Sequence, residues 1–187
     1  MLVAVVLIVA GCGIPTEDHA ATAGPEEVPF GLLTDEPRQP PATAVPPAGP
    51  TVEIYLLEGG GDRLAAVRRT IEEADISDVI AALLAGPSDV EADRGLSSAL
   101  PEGDVVQSLE LSGGVAAVDL SPVFGVLDGT TQKLAIAQLV YTLTARPGIG
   151  RISFTLSGQP VEIPRGDGAL TSGSVSRDSY RELAPTA

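Results

Sequence analysis

The chain has 187 residues, which fits one domain with extensions. Its 25 acidic and 11 basic side chains give a net charge of −14, which argues against nucleic acid and anionic lipid as direct ligands, since both are bound by basic patches. Its single cysteine, Cys12, excludes an internal disulfide and argues against a cysteine-based metal cluster, and the single histidine, His19, follows soon after it.

Residues 1–11 predict a secretory signal peptide. The apolar run Leu2–Ala10 is too short to span a bilayer, which takes about 20 residues, but it fits the apolar core of a signal. No Lys or Arg precedes the run, so we expect the translation start to lie upstream of Met1. The run ends in Val9-Ala10-Gly11-Cys12, which resembles the bacterial lipobox. That resemblance implies cleavage before Cys12, acylation of its thiol and amino group (palmitate included), and anchoring outside the cytoplasmic membrane; a hydrophobic helix that happens to end in cysteine is the alternative.

Residues 12–50 predict a disordered tether that begins at the lipidated cysteine. Nine prolines lie between Gly13 and Pro50, and each breaks a helix or strand. Such a segment cannot bury enough apolar area to offset the entropy of ordering it. A proline-rich linker extends about 3.1 Å per residue, so this one reaches on the order of 100 Å. Its apolar island Val28–Leu33 either docks on the domain or a partner, or occurs by chance.

Residues 51–183 predict the folded domain. Alternating apolar side chains indicate a strand over Thr51–Leu57 and a second over Leu64–Ile71, separated by the glycine run Gly59–Asp62. Glycines after a strand can form a phosphate-binding loop, but the Lys-Ser/Thr pair of such a loop is missing here. A hairpin turn is therefore the favoured interpretation.

A first amphipathic helix follows, with Asp75 or Ser77 as its N-cap. Its apolar side chains share one stripe, as a core-facing helix requires: Ile76, Val79, Ile80, Leu83 and Leu84. Gly86-Pro87 predicts its end. The loop Ser88–Gly103 and the residue after it then carry several carboxylates, among them Glu91, Asp93, Glu102 and Asp104. They could serve acid–base chemistry or bind Ca²⁺, but the spacing of a calcium loop is absent, so solvated loop charge is favoured.

The second half of the domain is predicted to contain a hairpin, a helix and a further hairpin. Strands are predicted over Val105–Leu111 and Val115–Leu120, and a second helix over about Thr130–Ala145, which ends at Pro147-Gly148. On that helix the polar residues Gln138 and Thr142 predict hydrogen bonds to loops or to helix backbone, a ligand role being the alternative.

The last hairpin is predicted to consist of a strand over Ile152–Leu156, a Ser157-Gly158 turn and a short return over Val161–Ile163. In the polar tail that follows, Tyr180 and Leu183 are expected to fold back onto the domain. The element order β-β-α-β-β-α-β-β predicts an α+β fold in which two amphipathic helices pack on a mixed or antiparallel sheet.

The segment Val52–Ile163 resembles the GerMN domain, which occurs in sporulation and spore germination lipoproteins and in actinobacterial LpqB-type lipoproteins. The matching pieces occur in the same order in both: Val52–Leu56, Val67–Arg69, Ala81–Pro87 with Glu91, Gly95–Pro101, Val118–Ser121, Gln138–Thr144 and Gly158–Val161. The resemblance implies a compact wedge similar to the ring-building modules of envelope assemblies, without known catalysis and without a cofactor. Gly86-Pro87, Asp119 with Ser121, and Gly158 are explained by a helix stop and by turns.

We therefore expect a lipoprotein anchored through Cys12 on the extracytoplasmic face of the cell membrane, whose domain is not an enzyme. The leading hypothesis is that the domain binds an envelope protein or a second copy of itself, in assembly or signalling. The alternative is a module that binds a small ligand or a cell-wall glycan, although the low aromatic content of 3% counts against sugar stacking. An enzyme would need carboxylate chemistry or Ser-Lys chemistry around Lys133, the one lysine in the chain.

Overall fold

A computed structural model describes residues 49–61 and 63–186, and the predicted signal peptide and tether therefore lie outside the described part. The strands are β1 Thr51–Glu58, β2 Arg63–Thr70, β3 Val106–Ser112, β4 Val115–Leu120, β5 Arg151–Leu156, β6 Gln159–Pro160, β7 Ile163–Pro164 and β8 Leu170–Thr171. The helices are α1 Ile76–Leu84, α2 Asp89–Ala92, α3 Pro122–Gly125, α4 Gly129–Thr144 and a C-terminal 3-10 helix, Arg177–Leu183. In these residues no helix has the length and apolar character needed to cross a membrane.

The strands form three sheets. β1 and β2 pair as an antiparallel hairpin, β7 and β8 pair as a second small hairpin, and a four-stranded sheet has the order β3-β4-β5-β6. In the four-stranded sheet β4 and β5 are parallel and the other neighbours are antiparallel. The connection from β4 to β5 contains α4, as a parallel pair requires. The predicted α+β class with a mixed sheet is confirmed, and so is the hairpin turn at Gly59.

Helix α4 lies at the centre of the domain. It contacts β1, β5 and β7, and its residues Ala135 to Leu143 are all buried. The carboxylate of Asp128 caps its first turn, accepting hydrogen bonds from the N–H groups of Thr130 and Thr131 at 3.0 and 3.1 Å. Each fully buried leucine of this helix stabilises the fold by about 1.5–3 kcal/mol.

Helix α1 begins and ends as the sequence predicts. Asp75, not Ser77, is the N-cap, and its carboxylate accepts a hydrogen bond from the N–H of Asp78 at 2.8 Å. Of its apolar stripe, Val79, Ile80 and Leu83 are buried, and the remaining two side chains are only partly covered. Gly86 follows the helix with a φ of 69°, a left-handed conformation that favours glycine.

Two predictions about connecting segments are wrong. The return strand predicted over Val161–Ile163 is absent, because the two-residue turn at Ser157-Gly158 places the return at Gln159–Pro160. Ile163 pairs instead with Thr171 in the β7–β8 hairpin. The predicted loop 88–103 contains helix α2, which begins at Ser88 with a capping box formed by Ser88 and Glu91.

The C-terminal segment packs on the domain, as expected for Tyr180 and Leu183. Tyr180 is fully buried, Leu183 is nearly so, and the Tyr180 hydroxyl donates a hydrogen bond to the carbonyl of Pro164 at 2.8 Å. Burial raises the pKa of the Tyr180 phenol above its ordinary value, so the hydroxyl stays protonated and keeps donating.

Candidate functional site

Cys12, the predicted lipidation site, lies outside the described residues, as do His19 and the island Val28–Leu33. The lipid anchor, the signal peptide and the tether therefore remain predictions. The same holds for the domain boundaries at residues 11, 50 and 183.

The most strongly held carboxylate of the acidic segment is Glu91. It forms two short hydrogen bonds with the guanidinium of Arg69, at 2.6 and 2.5 Å, and Arg69 also donates to the carbonyl of Gly86 at 3.2 Å. The hydrogen bond from Arg69 lowers the pKa of Glu91 from 4.5 to about 2. This ion pair fixes strand β2 to the segment that follows α1, which is a structural role.

The other three predicted carboxylates point into solvent. Asp93, Glu102 and Asp104 are exposed, and none of their carboxylates has a hydrogen-bond or salt-bridge partner in residues 49–61 and 63–186. Across the same residues no three His, Cys, Asp or Glu side chains come close enough to hold a metal ion. The acidic segment therefore does not assemble a carboxylate pair of the kind that acid–base chemistry requires.

Gln138 and Thr142 bond backbone, as predicted, but the main recipient is a strand. Gln138 is fully buried; its amide nitrogen donates to the carbonyl of Tyr55 at 3.0 Å, and its oxygen accepts from the N–H of Ala99 at 2.8 Å. The Thr142 hydroxyl accepts from the N–H of Tyr55 at 3.0 Å. Gln138 and Thr142, one turn of α4 apart, thus bond the C=O and the N–H of Tyr55. These are the two backbone groups of Tyr55 that point away from β2.

The next β1 residue whose backbone groups point away from β2 is Leu57, and these groups are bonded too. Leu57 exchanges two backbone hydrogen bonds with Ser97, at 2.8 and 2.9 Å. The outward edge of β1 is therefore saturated between Tyr55 and Leu57, by helix side chains at one position and by the loop after α2 at the other.

Arg177 forms an anchor that the sequence analysis did not identify. Its guanidinium lies 5.1 Å from the ring centroids of both Tyr55 and Tyr141, and it donates to the hydroxyl of Thr144 and the carbonyl of Tyr141, each at 2.8 Å. The phenol of Tyr55 in turn donates a short hydrogen bond to Glu53. The cluster fastens the C-terminal 3-10 helix to α4 and β1.

A polar face lies on the solvent side of the four-stranded sheet. Asp119 accepts hydrogen bonds from the Thr155 hydroxyl at 2.6 Å and from the N–H of Gly158 at 2.8 Å, and the first of these lowers its pKa below the ordinary value. A shallow depression beside it is lined by Ser108, Glu110, Ala117, Asp119, Thr155 and Gly158. Its two carboxylates make this face acidic, and no Lys or Arg lines it.

An apolar groove lies on the opposite side of β3, between that strand and α1. It measures about 290 Å³ and is lined by Ile76, Ser77, Ile80, Ala81, Leu84, Val106, Gln107, Ser108 and Leu109. The groove is apolar because Ile76, Ile80 and Leu84 of α1 line it. These side chains face β3, which covers them only in part. It is the best candidate in the described domain for a surface that receives another molecule.

Known proteins resemble this chain mainly over the described domain. The family model Germane, described as sporulation and spore germination, matches residues 53–162. A curated relative, "Lipoprotein LpqB" of Cutibacterium acnes, is 31% identical over 140 residues, which are 72% of this chain and 23% of the relative. The chain thus spans less than a quarter of the relative's length.

Two solved structures from Bacillus subtilis share the fold. The first GerMN domain of the sporulation protein GerM matches 69% of this chain and 98% of its own, with 21% identity and a TM-score of 0.55. The tandem GerMN domains of the same protein match 69% of this chain and 46% of their own, with 20% identity and a TM-score of 0.51. Because the family model covers more than half of the sequence, the chain belongs to the Germane (GerMN) family.

Proposed function

We propose that this protein is an extracytoplasmic lipoprotein, anchored to the cell membrane through Cys12, whose GerMN domain binds another envelope protein without catalysing a reaction. The observation that carries the proposal is the match to a lipoprotein over 72% of the chain, which agrees with the lipobox-like residues Val9 to Cys12. A diacylated or triacylated cysteine holds a protein firmly, because each buried methylene contributes about 0.8 kcal/mol.

The chemistry of the described domain supports binding over catalysis. Its polar side chains that are held in fixed geometry serve the fold: Glu91 pairs with Arg69, and Gln138 and Thr142 bond the backbone of β1. Lys133, the one lysine, lies near the start of α4 beside a shallow depression with Asp128. No serine lines that depression, so Ser-Lys chemistry has no partner residue there.

A glycan-binding module, the alternative, has less support. Every aromatic side chain of the described domain is buried: Tyr55, Phe124, Tyr141, Phe154 and Tyr180 are each at most 6% exposed. Sugar rings are commonly bound by stacking on exposed aromatic faces, and the described surface offers none.

The first test of the proposal is fractionation of cells that produce the full-length chain or its Cys12→Ser variant. The wild-type chain is expected in the membrane fraction and released by detergent, and the variant is expected to stay uncleaved or to lose acyl labelling. A Cys12→Ser variant that is processed and labelled with fatty acid like the wild type would contradict the lipid anchor.

The second test is crosslinking on native membranes followed by mass spectrometry. One dominant envelope protein is the expected product. If only cell-wall fragments bind, seen as a saturable rise in melting temperature without a crosslinked protein, the alternative is correct and the proposal is wrong.

A further inference from the structure

Strand β3 is an outer strand of the four-stranded sheet. The hydrogen-bond pattern of β4 shows which backbone groups of β3 have no partner in the sheet. The carbonyls of Gly114 and Leu120 accept hydrogen bonds from the side of β5, at 2.9 Å from Gly150 and 2.9 Å from Ser157. The backbone N–H and C=O groups of even-numbered β4 residues therefore point toward β5, and those of odd-numbered β4 residues point toward β3.

It follows that Ser108, Glu110 and Ser112 of β3, which lie opposite odd-numbered β4 residues, bond β4. Leu109 and Leu111 alternate with them, so their N–H and C=O groups point away from the sheet. In residues 49–61 and 63–186 no backbone or side-chain group bonds these outward groups. An outer strand in this state is a template for one more strand.

The side chains of such an added strand would alternate between two different environments. In an antiparallel ladder, residues that exchange hydrogen bonds point their side chains to the same face of the sheet. Residues bonded to Leu109 and Leu111 would thus point to the side of α1, where Leu109 lines the apolar groove. The groove of about 290 Å³ has room for a few side chains of a peptide.

The alternate residues of an added strand would lie on the other face, next to Glu110. That face also carries the ionised Asp119, and neither the depression there nor the groove is lined by Lys or Arg. Directly opposed unlike charges stabilise a strand pair by about 0.2–1 kcal/mol. The negative charge of this face therefore favours Lys or Arg at those positions of the added strand whose side chains lie beside Glu110.

A second copy of this chain fits the edge poorly. The register that would pair Leu109 with Leu111 of the other copy, and the reverse, centres on Glu110 and sets two Glu110 carboxylates opposite each other.

We propose that β3 accepts an extended segment of a partner protein as an added antiparallel strand, with apolar side chains in the groove beside α1 and basic side chains beside Glu110. The inference rests on the proposed function, for which it identifies the binding surface and the chemistry of the partner.

The test uses the full-length chain in detergent and three labelled synthetic peptides of one length. One peptide alternates valine and lysine, a second carries the same residues as a block of lysines followed by a block of valines, and a third alternates valine and glutamate. Fluorescence anisotropy is expected to show the alternating lysine peptide binding about tenfold or more tightly than either other peptide. Equal affinity for the alternating and block peptides would mean attraction to net charge alone and would overturn the inference.

Two variants locate the site. Leu111→Pro removes an outward N–H and is expected to weaken binding of the alternating peptide by about tenfold, since each edge hydrogen bond contributes. Glu110→Lys should reverse the preference toward the glutamate peptide, whereas Glu182→Lys, an equal change of charge on the C-terminal 3-10 helix, should not. Unchanged binding by both β3 variants would overturn the inference even if one of them folds poorly.

Failure here is distinguishable from failure of the proposed function. If crosslinking on native membranes yields a partner attached away from β3, this inference is wrong and the proposed function stands. If the partner is a second copy of the chain joined through β3, the basic-segment assignment is wrong.

Discussion

Strands β1 and β3 each have a side that no strand covers, and the domain treats the two sides differently. On β1, Gln138 and Thr142 bond Tyr55, and Ser97 bonds Leu57. On β3, no described group bonds the outward side of the strand. The two strands also differ in burial: five of the eight residues of β1 are buried, but none of the seven residues of β3 is.

Burial explains it. The edge of β1 lies against α4, in the core, where an unpaired backbone group costs about 1–3 kcal/mol. Side chains and a loop must therefore satisfy it. The edge of β3 lies at the surface, where water satisfies the same groups at little cost, and the fold leaves them open to a partner. One edge is structural, and the other is the edge we assign to binding.

Removing Gln138 should have the largest effect, because it satisfies two buried backbone groups. Gln138→Leu keeps the volume but leaves the carbonyl of Tyr55 and the N–H of Ala99 without partners. We expect a loss of about 3 kcal/mol in the free energy of unfolding, measured by urea titration. A loss below about 1 kcal/mol would mean that the β1 edge does not depend on α4.

The ion pair of Glu91 secures the segment that covers Leu57, and it should be next in size. The pKa of Glu91 is lowered in the folded state, so its contribution is present above pH 4.5 and is lost as the pH falls through about 2. Glu91→Gln should cost about 2 kcal/mol at pH 7, and the difference from wild type should shrink toward pH 2. Urea titrations between pH 7 and pH 2 test this; a difference that is constant with pH would contradict the assignment.

Thr142 satisfies a single backbone group, so its loss should matter less. Thr142→Val keeps the shape of the side chain but leaves the N–H of Tyr55 unpaired, at an expected cost of about 1 kcal/mol. The matched control is Thr130→Val at the exposed start of α4. This substitution should change the free energy of unfolding, measured by thermal unfolding, by less than about 0.5 kcal/mol. Equal effects of the two variants would contradict the role of Thr142.

Proline on the β3 edge should change stability least. Leu111 is 54% exposed and its N–H faces outward, so Leu111→Pro removes no internal hydrogen bond and should cost less than about 1 kcal/mol in thermal unfolding. Val118→Pro, on the neighbouring inner strand, is the contrasting variant and should unfold the domain or cost about 3 kcal/mol or more. A Leu111→Pro variant as unstable as Val118→Pro would mean that the β3 edge is not open.

Local patterns predicted the elements, but not the long-range pairs that close the β1 edge. Gln138 and Thr142 could be recognised as polar residues on a helix that must be buried, and hence as donors or acceptors for backbone. Their partner Tyr55 lies 87 residues before Thr142, a distance over which no sequence period carries information. Arg177 was missed for the same reason, since its two tyrosines lie in β1 and α4.

Other misses were local and avoidable. Ser88 and Glu91 have the spacing of a capping box, which signals the start of a helix where we predicted a loop. The return strand was misplaced because Val161 and Ile163 have strand propensity, whereas the tight turn at Gly158 decided the register. The open edge of β3 could not be predicted, because the strand order follows from tertiary structure.

Amide hydrogen exchange of the full-length chain in detergent, without any partner, tests the comparison of the two edges most directly. The account predicts slow exchange at Tyr55 and Leu57, whose N–H groups are bonded, and exchange at Leu109 and Leu111 faster by orders of magnitude. Protection of Leu109 and Leu111 equal to that of Tyr55 would show that the β3 edge is already covered, and would contradict its assignment as the site for an added strand.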